Sequence, residues 1–170
     1  MKYIITIFTI FALSANVFAQ TAENKIEGFR TLKWGDEISN IMINGEVANF
    51  IETEKAKEGT FYILPSDNLM IGNVLLDEIK YVFSKKDDKF FKVSLTGKKE
   101  DVEQMKFIVN HKYGEHINET EKDDKIMRQW IVNNVTITLK DFTFNKFELL
   151  IESDWEAAEA YKKNTNVTDF

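Results

Sequence analysis

VLLDEIKYVFSKKDDKFFKVSLTG, residues 74–97, decides how this chain folds. Leu75, Ile79, Tyr81 and Phe83 share one face of an extended strand, and Glu78, Lys80 and Ser84 share the other. Lys86-Asp87-Asp88-Lys89 is charged turn chemistry. Phe91, Val93 and Leu95 then resume the alternation, with Lys92 and Ser94 opposite. Alternation of period two in adjacent runs predicts an antiparallel hairpin with one buried face and one wet face.

Toward the C-terminus, KKEDVEQMKFIVNHKYG (98–114) changes period. Val102, Met105, Ile108 and Val109 make one helical stripe, and Gly114 supplies the stop. A second meander follows. Ile126 to Val132 reads as a strand and Asn133-Asn134 as a tight turn, because asparagine tolerates positive φ. Val135, Ile137 and Leu139 alternate with Thr136, Thr138 and Lys140, and Asn145 to Glu152 points Phe147, Leu149 and Ile151 inward. Ser153-Asp-Trp-Glu156 has the form of a capping box, which predicts a last helix from Asp154 to about Lys163.

Toward the N-terminus, Phe29 to Trp34 reads as a short strand. Asp36 suits an N-cap, Ile38, Ile41 and Met42 fall on one helical face, and Gly45 suits a C-terminal stop, so a short helix is expected here. Val47 to Ile51 and Thr60 to Leu64 read as strands, and Pro65-Ser-Asp-Asn as a turn. The expected fold class is α+β: an antiparallel meander sheet covered on one face by helices. A helix followed by a meander occurs from Trp34 to Gly97 and again from Lys99 to Glu152, which suggests a degenerate helix-plus-meander repeat.

MKYIITIFTIFALSANVFAQ (1–20) has one positive charge at Lys2, an apolar stretch from Tyr3 to about Leu13, and small residues at the −3 and −1 positions of a cut after Ala19. This is the layout of a secretory signal peptide, and the apolar stretch is shorter than the roughly 20 residues that span a bilayer. The expected organisation is a signal peptide over 1–19, a flexible N-terminus over 20–27, a single α+β domain over 28–164 and a frayed tail over 165–170. The expected location is periplasmic or extracellular, with no stable membrane insertion after cleavage.

The 170-residue chain carries a formal net charge of −6, and 44% of its residues are hydrophobic. An acidic chain without a basic cluster lacks the electrostatic footprint for nucleic acid. With no cysteine there is no disulfide, thiolate nucleophile or Cys-ligated metal. His111 and His116 straddle a helix end and match no metal-ligand spacing. Asp77 and Asp141 lie beside apolar strand residues, the setting in which a carboxyl can be kept protonated, but structural or exposed roles suit them as well. There is no nucleophile elbow, phosphate loop or calcium loop. Catalytic residues, metal and cofactors are therefore expected to be none. Aromatic residues are the remaining handle: Trp34, Phe61, Phe90 and Trp130. Grouped on the outside they would mark a ligand- or partner-binding surface. Burial on both faces, with Trp34 capping the core edge, is the simpler reading.

GFRTLKWGD (28–36) resembles the opening of small exported bacterial proteins whose mature domain begins near Phe-Arg-Gly-Ile/Leu-x-Trp-Gly. The matching positions are Phe29, Arg30, Leu32, Trp34 and Gly35, followed by Tyr81-Val-Phe83, Tyr113-Gly114 and Trp130. The helix-plus-meander order is also similar to β-lactamase-inhibitor-like and outer-membrane assembly-factor proteins. These resemblances imply export and an α+β module, and carry no catalytic residue. The function expected is a non-enzymatic binding or interaction module of the bacterial envelope, with an envelope protein or small ligand as partner. The alternatives are a small apolar-ligand carrier with a cavity between sheet and helix, and an unrecognised hydrolase.

Overall fold

The computed structural model describes residues 25–122, 125–142 and 145–154. The expected signal peptide, the expected final helix beyond Asp154 and the expected frayed tail lie outside the described residues. A small hairpin, β1 (Gly28–Phe29) with β2 (Leu32–Lys33), opens the chain, followed by a 3-10 turn at Ile38–Asn40 and a second hairpin, β3 (Met42–Ile43) with β4 (Glu46–Val47). Then come β5 (Ile51–Lys55), β6 (Thr60–Ile63), β7 (Met70–Ile71), β8 (Val74–Phe83) and β9 (Phe90–Lys98). The helix α1 (Val102–Tyr113) leads to β10 (Asn118–Lys122), β11 (Lys125–Val132), β12 (Val135–Asp141) and β13 (Lys146–Ser153).

Most of this is antiparallel sheet with a single α-helix among the described residues. The large sheet has the order β10-β11-β12-β13-β9-β8-β6-β5, with β7 beside β8. From either edge, the path runs inward through strands in chain order. The sheet is thus two meanders joined last strand to last strand, with Leu95 of β9 opposite Leu149 of β13. The two edge strands read IETEK and NETEK, and every residue in both is exposed. Charged side chains on an edge hinder the addition of another strand, which would have to desolvate them.

The hairpin over 74–97 forms, but two bulges shift its phase. One lies between Leu76 and Glu78. Before it, Val74 and Leu76 are buried and Leu75 is 59% exposed; after it, Ile79, Tyr81 and Phe83 are buried. Leu75 therefore does not share the face of Ile79 as strict alternation predicts. The second bulge pairs Phe83 with Phe90 and Val82 with Lys92. It turns Phe90 into the core and leaves Phe91 half-buried, the reverse of the simple reading.

Over residues 36–47 the expected helix is a 3-10 turn and a hairpin. Asp36 does not cap a helix: its carboxylate accepts a hydrogen bond from Lys33 N at 2.7 Å and closes a turn. Asn44 and Gly45 have φ of 54° and 85°. Two positive φ values at the centre of a two-residue loop define the turn that matches strand twist, and Asn-Gly is its preferred pair. Nothing lies within 4 Å of a Cβ placed on Gly45. Gly45→Ala is therefore expected to cost about 1 kcal/mol from backbone strain alone, read as a lower urea midpoint with an unchanged slope.

The helix α1 follows its stripe, with Val102, Met105 and Val109 buried. Gly114, at φ 88°, ends it and donates to Asn110 O at 2.8 Å. These helix residues join one core cluster with Leu32 and Ile41 from the N-terminal segment and with Ile79, Tyr81, Leu95, Ile137, Leu139, Phe147 and Leu149 from the sheet.

Candidate functional site

Of the four aromatic candidates, Trp34, Phe90 and Trp130 belong to the core side, and Phe61, paired with Val82 opposite Lys92, lies on the other flank of the sheet. Phe90 and Trp130 are 0% and 1% exposed. Trp34 is half-buried; it stacks on Phe90 with ring centroids 4.8 Å apart and donates from Nε1 to Ile26 O at 2.9 Å. Phe61 is half-buried on β6, opposite Val82. Trp130 stands on β11, its Nε1 donating to Asn110 Oδ1 and to Gly114 O, each at 3.0 Å. Trp34 and Phe90 thus come together, while Phe61 and Trp130 are on separate elements. The four positions therefore do not form one aromatic patch.

The residues around Trp34 form a clasp between the N-terminal segment and the sheet. Gly35 N donates to Phe90 O at 2.8 Å, and its φ of 87° suits glycine. Arg30 forms an ion pair with Asp67 and donates to Asn68 O. Tyr81 Oη donates to Asp67 Oδ2 at 2.5 Å. Burial pushes the Tyr81 phenol up to about 12, against a smaller opposing pull from Arg30. A phenol whose folded pKa exceeds its unfolded value of about 10 contributes stability that is intact below pH 10 and is lost as pH rises through 12. Alkaline unfolding is therefore expected to set in between pH 10 and 12, together with a late tyrosinate absorbance step. Tyr81→Phe should remove that step.

At the other end, Arg128 is buried on β11 between carboxylates from two elements. Its Nε donates to Glu119 Oε2 at 2.7 Å, and its Nη2 lies 3.2 Å from Glu103 Oε1 on α1. The hydrogen bond from Arg128 holds the Glu119 carboxyl below its usual range, against a smaller effect of burial. His116 Nε2 lies 3.2 Å from the same Glu119 oxygen, and its ring meets Trp130 edge-on at 5.6 Å. His111 instead stacks on Phe107 of α1. Asp77 pairs with Lys146 at 3.5 Å and Asp141 with Lys99 at 3.1 Å. Among the described residues, no three His, Cys, Asp or Glu side chains are placed to hold a metal ion.

The sheet face turned away from Leu95 and Leu149 carries mostly polar side chains, with Ser94 and Thr138 buried among longer, half-buried ones. The pairing registers lay its side chains in rows across the strands. One row is Lys80, Ser94, Leu150, Thr138 and Gln129; the next is Glu78, Thr96, Glu148, Lys140 and Met127. Its charges are paired in place. Glu148 accepts from Ser94 Oγ at 3.0 Å and from Lys140 Nζ at 3.1 Å. Lys92, 9% exposed, has its Nζ 3.3 Å from Glu58 Oε1 and 3.7 Å from Glu152 Oε2. Alternation marked this face as wet, but its cross-strand pairs depend on β9 meeting β13, which no local pattern encodes. Such a face can hydrogen-bond a partner across a broad, nearly neutral surface. Compared with known families, curated proteins and solved structures, the chain matches none.

Proposed function

We propose that this chain is an exported, non-enzymatic binding module that docks an envelope protein on the polar face of its sheet. The observation that carries this reading is the asymmetry of the sheet. One flank meets α1 and the N-terminal segment through Trp130, Phe90 and the core cluster. The other presents rows of mostly polar side chains with internally paired charges. The eight strands hold 56 residues; at a rise of about 3.3 Å and a spacing of about 4.8 Å they offer an area on the order of 900 Å², close to what one partner contributes to a standard interface. Groups already held in place lose little freedom on binding. Strand addition is disfavoured, because both edges present Glu-Thr-Glu-Lys.

The non-enzymatic reading rests on the engaged state of the reactive candidates. Asp77 and Asp141 each face a lysine, and His116 faces glutamates. Export rests on the three-part layout of residues 1–19. The joined meanders and the shared edge tetrapeptide support a repeated meander, while the helix expected in the first half is replaced by a 3-10 turn and a hairpin.

Photo-crosslinking in the native envelope tests the docking face. A benzophenone side chain at Thr96 or Thr136 is expected to yield a discrete protein adduct, and one at edge residue Glu54 to yield none. An adduct from Glu54 alone, or none from any position, would overturn the reading.

A further inference from the structure

At its β10–β12 corner the polar face sinks into an open groove of about 350 Å³. We infer that this groove is a binding site for a small anionic amphiphile, an acyl chain ending in a carboxylate. The registers Thr120↔Met127↔Lys140 and Lys122↔Lys125 put these side chains on one face of three adjacent strands. Ile126, Met127 and Phe142 give the groove an apolar lining, and Lys122, Lys125 and Lys140 stand around it. The volume falls in the range of small-ligand pockets, about 300–1,000 Å³.

Two features favour an anion over a cation. Like charges directly opposite on paired strands repel, and Lys122 sits directly opposite Lys125. A carboxylate between them relieves that repulsion. Two described acids beside it are also occupied: Glu148 by Lys140 and Asp141 by Lys99, each at 3.1 Å. Met127 is an adaptable wall for a chain of variable length. Asp123 and Asp124, between the two lysines in sequence, lie outside the described residues, so charge selectivity is the decisive readout. The groove lies on the three-strand corner and is not lined by α1, unlike the sheet–helix cavity that the carrier reading required. Its occupancy is measured without any protein partner, so this inference and the docking-face reading can fail separately.

The test is titration of the mature protein with dodecanoate below its micelle concentration, followed by amide chemical shifts. Saturable shifts are expected over residues 120–122, 125–127 and 140–142. The Lys122→Ala/Lys125→Ala double variant should bind at least tenfold more weakly with an unchanged circular dichroism spectrum, since both lysines are exposed. Met127→Glu should weaken binding as much. The inference is overturned if dodecyltrimethylammonium binds as well as dodecanoate, if nothing saturates, or if the shifts map elsewhere.

Discussion

Trp130→Ala is expected to destabilise the domain by about 3–5 kcal/mol, the usual cost of deleting a fully buried large aromatic. Two losses combine at this site. The side chain is 1% exposed, so its removal leaves a cavity beside α1. Its indole N–H also satisfies both Asn110 Oδ1 and the carbonyl of Gly114, at the end of the helix. Trp130→Phe separates the two. It keeps most of the ring, and the stranded acceptors should cost about 1–3 kcal/mol. Urea unfolding monitored by circular dichroism measures both. Equal losses in the two variants would mean that the hydrogen bonds, not the packing, hold the helix to the sheet.

The second large effect is a contrast between neighbours. Phe90→Ala is expected to cost about 3–5 kcal/mol, and Phe91→Ala clearly less. Phe90 is 0% exposed, stacks on Trp34 and lies within 6 Å of Phe83 and Tyr81. Phe91 is half-buried on the far side of the bulge. Strict alternation predicts the opposite order, because it places Phe91 with Val93 and Leu95. Thermal unfolding of the two single variants decides between bulged and regular pairing.

Much of the fold was legible because its signal is local. The stripe of Val102, Met105 and Val109 is set by helix geometry, and the alternation of Val135, Ile137 and Leu139 by the pleat. The turn at Asn133, φ 54°, was readable for the same reason. What escaped was set by partners distant in sequence. The bulges at Leu76–Glu78 and Val82–Phe83 adjust two strands to each other and leave no mark in either one alone. NETEK, the strand β10, has no buried face and so no alternation; only its pairing with β11 makes it a strand. The misread helix at 38–45 is different, since Asn44-Gly45 was a hairpin signal in plain view.

The candidate site was less legible than the fold. Trp34, Phe61, Phe90 and Trp130 were singled out as aromatics able to face a partner, and none of them is exposed. Burial of neighbouring aromatics requires knowing where the backbone bulges and which loop folds over them. The polar face was visible as Lys92, Ser94, Thr136 and Thr138. Its organisation was not, because Ser94 meets Glu148 only when β9 pairs with β13. The Arg30–Asp67–Tyr81 clasp likewise joins three separate segments.

The central claim is that a single sheet packs a core on one flank and leaves the other open to a partner. Solvent paramagnetic relaxation of side-chain methyl groups in the protein tests it most directly. The methyls of Thr96, Thr136 and Leu150 are expected to broaden strongly in a neutral gadolinium chelate, while those of Ile137, Leu139 and Leu149 stay sharp. Equal protection of the two sets would show both flanks covered and contradict the claim.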